Sequence, residues 1–448
     1  MNQSLAALSF PEAPKIVVKP PGPKAVEFTK RIGDCIPPQV YSMLLPMIWD
    51  SAKGATVRDI DGNTYIDFTA GFHAASTGFC YPKVSEAVRR EVERLSCPPA
   101  TWQFELRYEA AKKVAELCPP GLDKVLYAAS GTEAVEMAVK VARFFTKKQD
   151  IVSLHGHYHG KGFLATLLTD PKWGTQNKDY GPYPSGVLHA PSPHCYRCPF
   201  KKEYPECDLV CADYVSEVIK AESPHNVAAV ILEPWAREGG TPKGYLPRVK
   251  KICEENGALL IADEITCGCG RSGKWWYCNY EGVVPDILIT GKGIGSGIVP
   301  VSFVVTTKEI ADGLPYSINE GQTFGAVPAA CAAVIATIDV IKELKLVENA
   351  ASVGGYMKKR LQGMVNEHKL LGDVSAAGLE ITLDIVKDKE TKEPVFAEGF
   401  ELGTKLWEKG LLTYGPWFFW TPPLVLTRQQ AEKGLDIFEE ALSEVERH

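Results

Sequence analysis

Two charged residues stand where chemistry is easiest to arrange. Asp263 follows the apolar run 258–262, and Lys292 lies two residues beyond the run 287–290, each ahead of a glycine-rich turn. A lysine amine condenses with an aldehyde, and a carboxylate keeps a heterocyclic nitrogen protonated. Together they suit a cofactor that carries both a pyridine nitrogen and an aldehyde. The same two residues would also serve as a plain structural ion pair.

A sheet must position them. Between about residues 100 and 305, short β-branched runs alternate with helical periods, which implies an α/β domain with a parallel sheet and helices on its faces. Strands are expected over 125–129, 150–154, 227–232, 258–262, 285–290 and 301–306. Helices are expected over 133–146, where Ala134, Val135, Ala138, Val139 and Ala142 form one stripe, and over 247–256, which Gly257 ends. Open sheets of this kind bind ligands beyond the carboxyl ends of their strands. Ser130, Gly131 and Thr132 follow the first strand, Tyr158 the second, and Glu233, Asp263 and Lys292 three later ones. Five strand ends thus bring polar groups to one edge.

Each has a physical task there. Ser130-Gly131-Thr132 opens a helix, whose unbonded amides and dipole attract an anion; the same pattern is also a plain helix cap. Tyr158, within His157-Tyr158-His159-Gly160, offers a ring that can stack on a heteroaromatic face or fill core. Asp263 would hold a ring nitrogen protonated, and Lys292 would form a Schiff base and then carry a proton. These are the tasks of a pyridoxal phosphate site.

Composition excludes other classes. At 448 residues and 45 % hydrophobic, the chain can bury a large core. A net charge of -6 with both signs mixed leaves no basic stripe, so nucleic acid is not an expected partner. Residues 1–24 are proline-rich without an apolar leader core, and no uncharged stretch is long enough to span a membrane; a soluble cytoplasmic protein is expected. Of 13 cysteines, Cys195, Cys198, Cys207 and Cys211 cluster with His194 in a proline-rich loop, where metal, disulfides or reduced thiols all remain open. No metal is assigned. Gly268 to Lys274 lacks the Ser or Thr that a nucleotide-binding loop needs after its lysine.

Nearly the whole chain resembles the class III aminotransferases, pyridoxal phosphate enzymes of fold type I. The motifs that carry this are Asp61-Gly62-Asn63, Tyr65-Ile66-Asp67, Ser130-Gly131-Thr132-Glu133-Ala134, Tyr158-His159-Gly160, Glu233-Pro234, Asp263-Glu264, Gly270-Arg271-Ser272-Gly273, Pro285-Asp286, Gly291-Lys292-Gly293 and Gln322-Thr323-Phe324. The resemblance implies pyridoxal 5'-phosphate as cofactor, with Gly131 and Thr132 on its phosphate, Tyr158 and Ile265 on the two ring faces, Asp263 on the ring nitrogen and Lys292 as the Schiff-base lysine. Thr323 is similar to the residue that reaches the phosphate of a neighbouring subunit, which implies a homodimer, or a tetramer, with shared sites. The implied organisation is an N-terminal segment 1–70 in a smaller α+β domain, a large cofactor domain 71–325, and an interdomain helix with C-terminal small domain over 326–448. Phe72, His73 and Tyr81 fall where the family places substrate-side residues.

One departure bears on the substrate. Family members that use glutamate and 2-oxoglutarate carry an arginine three residues before a Pro-Pro-Leu, where it forks onto a carboxylate; here that position is Phe419, in an aromatic strip with Trp417, Phe418 and Trp420. The acidic residue that pairs with this arginine remains as Glu238. Arg237, at a usual glycine, has three roles open: pairing with Glu238, holding a substrate carboxylate, or pointing into solvent. The expected function is ping-pong transfer of an amino group from an amine or amino acid to a keto acid or aldehyde. The alternative is an amino-acid or aminolactam racemase or epimerase with Lys292 and Glu238 as two bases.

Overall fold

Alternating β-branched runs and amphipathic helices build two compact units, residues 83–342 and residues 1–82 with 343–448. The computed structural model describes residues 5–37, 47–174, 176, 178–315, 321–415 and 418–447. Trp417 of the aromatic strip lies outside them.

In the smaller unit, β1 (Trp49–Lys53), β2 (Thr56–Asp59) and β3 (Thr64–Asp67) form an antiparallel meander. Residues 71–82 belong to this unit: Gly54 N donates to Phe79 O at 3.1 Å and Leu424 N to Ser76 O at 2.9 Å. Its C-terminal part adds β11 (Leu371–Ala377), β12 (Glu380–Ile385), β13 (Leu411–Leu412) and β14 (Phe419–Trp420), in the orders β1-β2-β3-β13 and β11-β12-β14.

The larger unit carries a seven-stranded sheet. Its strands are β4 (Leu122–Ala128), β5 (Asp150–Leu154), β6 (Val187–Ala190), β7 (Val227–Leu232), β8 (Leu259–Asp263), β9 (Ile287–Thr290) and β10 (Ser302–Thr307). The spatial order is β4-β10-β9-β8-β7-β5-β6. The segment 301–306, expected among parallel strands, runs antiparallel to both β4 and β9. The short segment 291–301 explains this, since a parallel return needs a crossover of a dozen or more residues. Strand β6 had no sequence expectation; it is a four-residue edge strand.

The helix Gly131–Thr146 buries Ala134, Ala138 and Val141 against Ile231, Ile261, Ile289 and Val304 of the sheet. The unit ends at Lys342, within the helix Pro328–Glu343, whose Ala330, Val334, Ile338 and Ile341 are buried, so its apolar surface covers most of the helix. Among the described residues no helix is long and apolar enough to cross a membrane.

Candidate active site

The anion cradle comes from a helix start. Ser130 Oγ accepts from Glu133 N at 3.3 Å, and Glu133 Oε2 accepts from Ser130 N at 3.1 Å and Ala129 N at 2.9 Å, a reciprocal capping box. The box is the plain cap expected as one reading. It also leaves the Gly131 and Thr132 amides at the open end of the helix, where an anion is stabilised. The space in front is kept by glycines: a Cβ on Gly160 would lie 2.4 Å from Thr132 Oγ1, and one on Gly131 would lie 3.0 Å from Ile265 Cδ1. Ile265 therefore packs against the cradle. Gln322 Oε1 accepts from Ala129 N at 3.1 Å, while Thr323 is exposed.

Behind Tyr158 lies a buried ionic network. Glu233, just past β7, accepts from Tyr158 N at 2.9 Å and pairs with Arg237 at 2.5 Å; the side chains are 4 % and 11 % exposed. Arg237 neither pairs with Glu238 nor points into solvent, two of the three roles considered from sequence; its partner is Glu233. It is drawn to Glu233 because a carboxylate buried this deeply needs a cation. Its guanidinium also lies 5.6 Å from the Tyr158 ring and 5.5 Å from that of Trp173. Glu233 N donates to His157 Nδ1 at 2.9 Å, which leaves the ring proton on Nε2, 3.1 Å from Ser192 Oγ. Burial pushes the His157 pKa down to about 3, so the ring is neutral.

Asp263 ends β8 and is buried. Its Oδ2 accepts from His159 Nδ1 at 2.7 Å and its Oδ1 from Ile265 N at 3.1 Å. His159 Nε2 is buried with no hydrogen-bond partner among the described residues. Lys292 follows β9 in a left-handed conformation (φ +41°), and its Nζ donates to Thr266 Oγ1 at 2.9 Å. Asp263 and Lys292 are therefore not joined in the simple ion pair that was the alternative, among the described ion pairs. Thr266, His157, His159 and Lys172 were missed from sequence as site residues. For the histidines the signal was their placement on either side of Tyr158; for Thr266 and Lys172 there was none.

Glu238 pairs with Lys172, and the two side chains are 33 % and 38 % exposed. In the smaller unit, φ is positive at Ala70, Gly71, Phe72 and His73 in succession, a left-handed turn held by Asp67, which accepts from Ala70 N at 2.7 Å and Thr69 N at 3.0 Å. The turn buries His73, with Nδ1 2.5 Å from Thr421 Oγ1, and leaves Phe72 71 % exposed. Phe419 lies 5.1 Å from the His73 ring, and Tyr414 lies 5.0 Å from Phe72.

All thirteen cysteines are thiols outside any disulfide. Cys195, Cys198, Cys207 and Cys211 line a cavity of about 10 Å³ with His194, room for about one water. Among the described residues no group of three or more His, Cys, Asp or Glu is placed to hold a metal ion.

The arrangement fits pyridoxal phosphate. An open helix start that glycines keep clear can take its phosphate, a carboxylate buried beside a histidine can take a protonated ring nitrogen, and Lys292 carries the amine. The comparisons agree. The family model "Aminotransferase class-III" matches residues 38–442. An alanine/serine racemase of Pyrococcus horikoshii is 36 % identical over 97 % of this chain and 93 % of its own. A 5-aminovalerate aminotransferase of Pseudomonas aeruginosa is 32 % identical over 91 % of this chain and 96 % of its own. The crystal structure of an (S)-enantioselective omega-transaminase from Thermomicrobium roseum superposes with a TM-score of 0.87 at 28 % identity, covering 94 % of this chain and 99 % of that one. The chain belongs to the class III aminotransferase family, and its cofactor is pyridoxal phosphate.

Proposed function

We propose that the protein is an amino-acid racemase or epimerase acting on a substrate with one carboxylate and an apolar side chain. The observation that carries this reading is the loss of the cation that clamps a substrate carboxylate in glutamate-dependent relatives: its position holds Phe419, packed on His73, and Arg237, the arginine next to Glu238 in this chain, is paired with the buried Glu233. A cycle that alternates between two substrates, one of them a dicarboxylate, loses the anchor for its second carboxylate; inversion of one amino acid with a single carboxylate has no second carboxylate to hold. The relatives named as racemases, at 36 % and 35 % identity, support the same reading.

Bound pyridoxal phosphate supplies the electron sink that acidifies the substrate α-C–H. Gly131 and Thr132 hold its phosphate, Tyr158 and Ile265 confine its ring, and Asp263, oriented by His159, keeps its nitrogen protonated. Glu233 acts at one remove, by fixing the Tyr158 amide. Lys292 Nζ exchanges the α-proton on one face of the substrate carbon and the Glu238 carboxylate on the other. Thr323, exposed in the single chain, reaches the phosphate of a second copy in a homodimer.

Aminotransfer, the first expectation from sequence, becomes the second reading, favoured by the 32 % identical aminotransferases. The test mixes holoenzyme with single enantiomers in deuterated water, without any keto acid. Racemisation predicts loss of optical purity with α-deuterium uptake, and Glu238→Gln slows it about 10²- to 10⁴-fold. Release of one keto acid per site with optical purity retained would rule the racemase out.

A further inference from the structure

An α-amino acid brings a carboxylate that suits a cation; Phe419 supplies none, and Arg237 is engaged by Glu233. We propose that Lys172 is the receptor for the substrate carboxylate, and that the carboxylate enters by displacing Glu238 from Lys172. This rests on the reading that the substrate is an amino acid.

The backbone around Lys172 is tightly held, while its side chain is 38 % exposed and paired with Glu238. Asp170 caps the short 3-10 turn Pro171–Trp173, accepting from Lys172 N at 2.8 Å, and also accepts from Gly156 N at 2.6 Å. Trp173 Nε1 donates to Gly156 O at 3.0 Å. Both polar groups of Gly156 therefore tie the turn to the loop that presents Tyr158 two residues later. Gly156 itself has φ +85°, and a Cβ there would lie 2.9 Å from Glu238 Oε2 and 3.3 Å from Lys172 Nζ. The ion pair occupies the space that this glycine leaves open, directly over the loop. The residue before Glu238 in the chain faces the reacting amine: Arg237 reaches Thr266 Oγ1 at 3.4 Å, and that oxygen accepts from Lys292 Nζ at 2.9 Å.

The two ion pairs of this region differ in how readily they exchange. Arg237–Glu233 is 11 % and 4 % exposed, and breaking it strands a buried charge. Lys172–Glu238 is 38 % and 33 % exposed; such pairs are held weakly, and an incoming carboxylate replaces like with like. Exchange has a second result. Glu238 is released from its cation only when a substrate carboxylate has arrived, so the second base becomes available in the complex that needs it.

The test titrates holoenzyme with L-leucine and with 3-methylbutylamine, the same skeleton without the carboxylate, following the cofactor absorbance. Lys172→Met should weaken L-leucine binding about tenfold or more and leave the amine within about twofold; Lys172→Arg should restore most of the loss. Glu238→Gln should tighten L-leucine about threefold by removing the competitor, a change of opposite sign that a merely structural role for Lys172 does not produce. Equal weakening of leucine and amine by Lys172→Met, or no weakening of leucine, overturns the proposal. The titration does not depend on the reaction type. If leucine binds through Lys172 yet releases keto acid without racemising, the racemase reading fails and the carboxylate receptor stands.

Discussion

Replacing Arg237 by methionine keeps the stem of the side chain and removes its charge. Glu233 is then left 4 % exposed with a single backbone donor, the Tyr158 amide. Breaking a buried pair on one side costs about 3–5 kcal/mol. For a unit the size of residues 83–342, at about 2 °C per kcal/mol, the expected drop in the melting temperature is about 6–10 °C at pH 7. The second substitution, Glu233→Gln on top of Arg237→Met, removes the stranded charge while its amide oxygen still accepts from Tyr158 N, so at least half of the loss should return. The pH dependence has a definite sign. In the wild type, burial is the largest influence on Glu233 and raises its pKa, but Arg237 and the other groups facing it together bring the net shift downward; this contribution is present above the unfolded value and is lost as pH falls through the folded one. Without Arg237, burial weighs more heavily and the carboxyl protonates more readily. The penalty of the single variant should therefore shrink between pH 7 and pH 5. Thermal unfolding of the holoenzyme followed by near-UV circular dichroism reads all three effects. A single variant within 2 °C of wild type, or a double variant no better than the single, refutes the account of Arg237 as the charge partner that Glu233 requires.

Two more outcomes follow from the same geometry. His157 stays neutral in the fold, with a pKa pushed by burial from 6.5 to about 3. The unfolded chain binds the extra proton first, so stability falls by up to about 1.4 kcal/mol per pH unit as pH drops below 6.5. His157→Gln should flatten that slope in urea midpoints measured at pH 7 and pH 5; an unchanged slope contradicts it. Gly160→Ala places a Cβ 2.4 Å from Thr132 Oγ1 at φ +127° and should weaken pyridoxal phosphate retention about tenfold or more, read by dialysis and cofactor absorbance. Undiminished retention removes Thr132 from the phosphate cradle.

The framework was legible from sequence because strand ends in an α/β sheet share one edge. Asp263 and Lys292 could be placed by locating β8 and β9, and the helix start at Ser130 carried its capping signature. The direction of β10 was not legible: a β-branched run reads the same either way, and only the length of the preceding connection decides it. Side-chain partners were harder still. Arg237 offered three plausible roles because a guanidinium can reach several places; the choice falls to Glu233, four residues back, whose burial creates the demand. Lys172 pairs with a residue far along the chain, on a turn that shows neither periodicity nor motif. In the smaller unit, Asp67 was visible as part of a motif. The left-handed turn that it anchors was not, because two of its four residues, Ala70 and Phe72, are not types that favour positive φ.

Within six residues the segment 233–238 carries two carboxylates with opposite physical fates. Glu233 is sealed under Tyr158, and its energy is spent on holding the aromatic ring and the arginine in one place. Glu238, at the solvent-accessible end, keeps a partner that it can give up. Removing the first should damage the framework, and removing the second should change the chemistry. A loop of this kind needs the buried pair to be rigid in order for the exposed one to be exchangeable without moving the ring beneath it. The arginine at a position that is usually glycine thus serves the acid beside it indirectly: it anchors the backbone from which Glu238 projects, and leaves Lys172 as that acid's own cation.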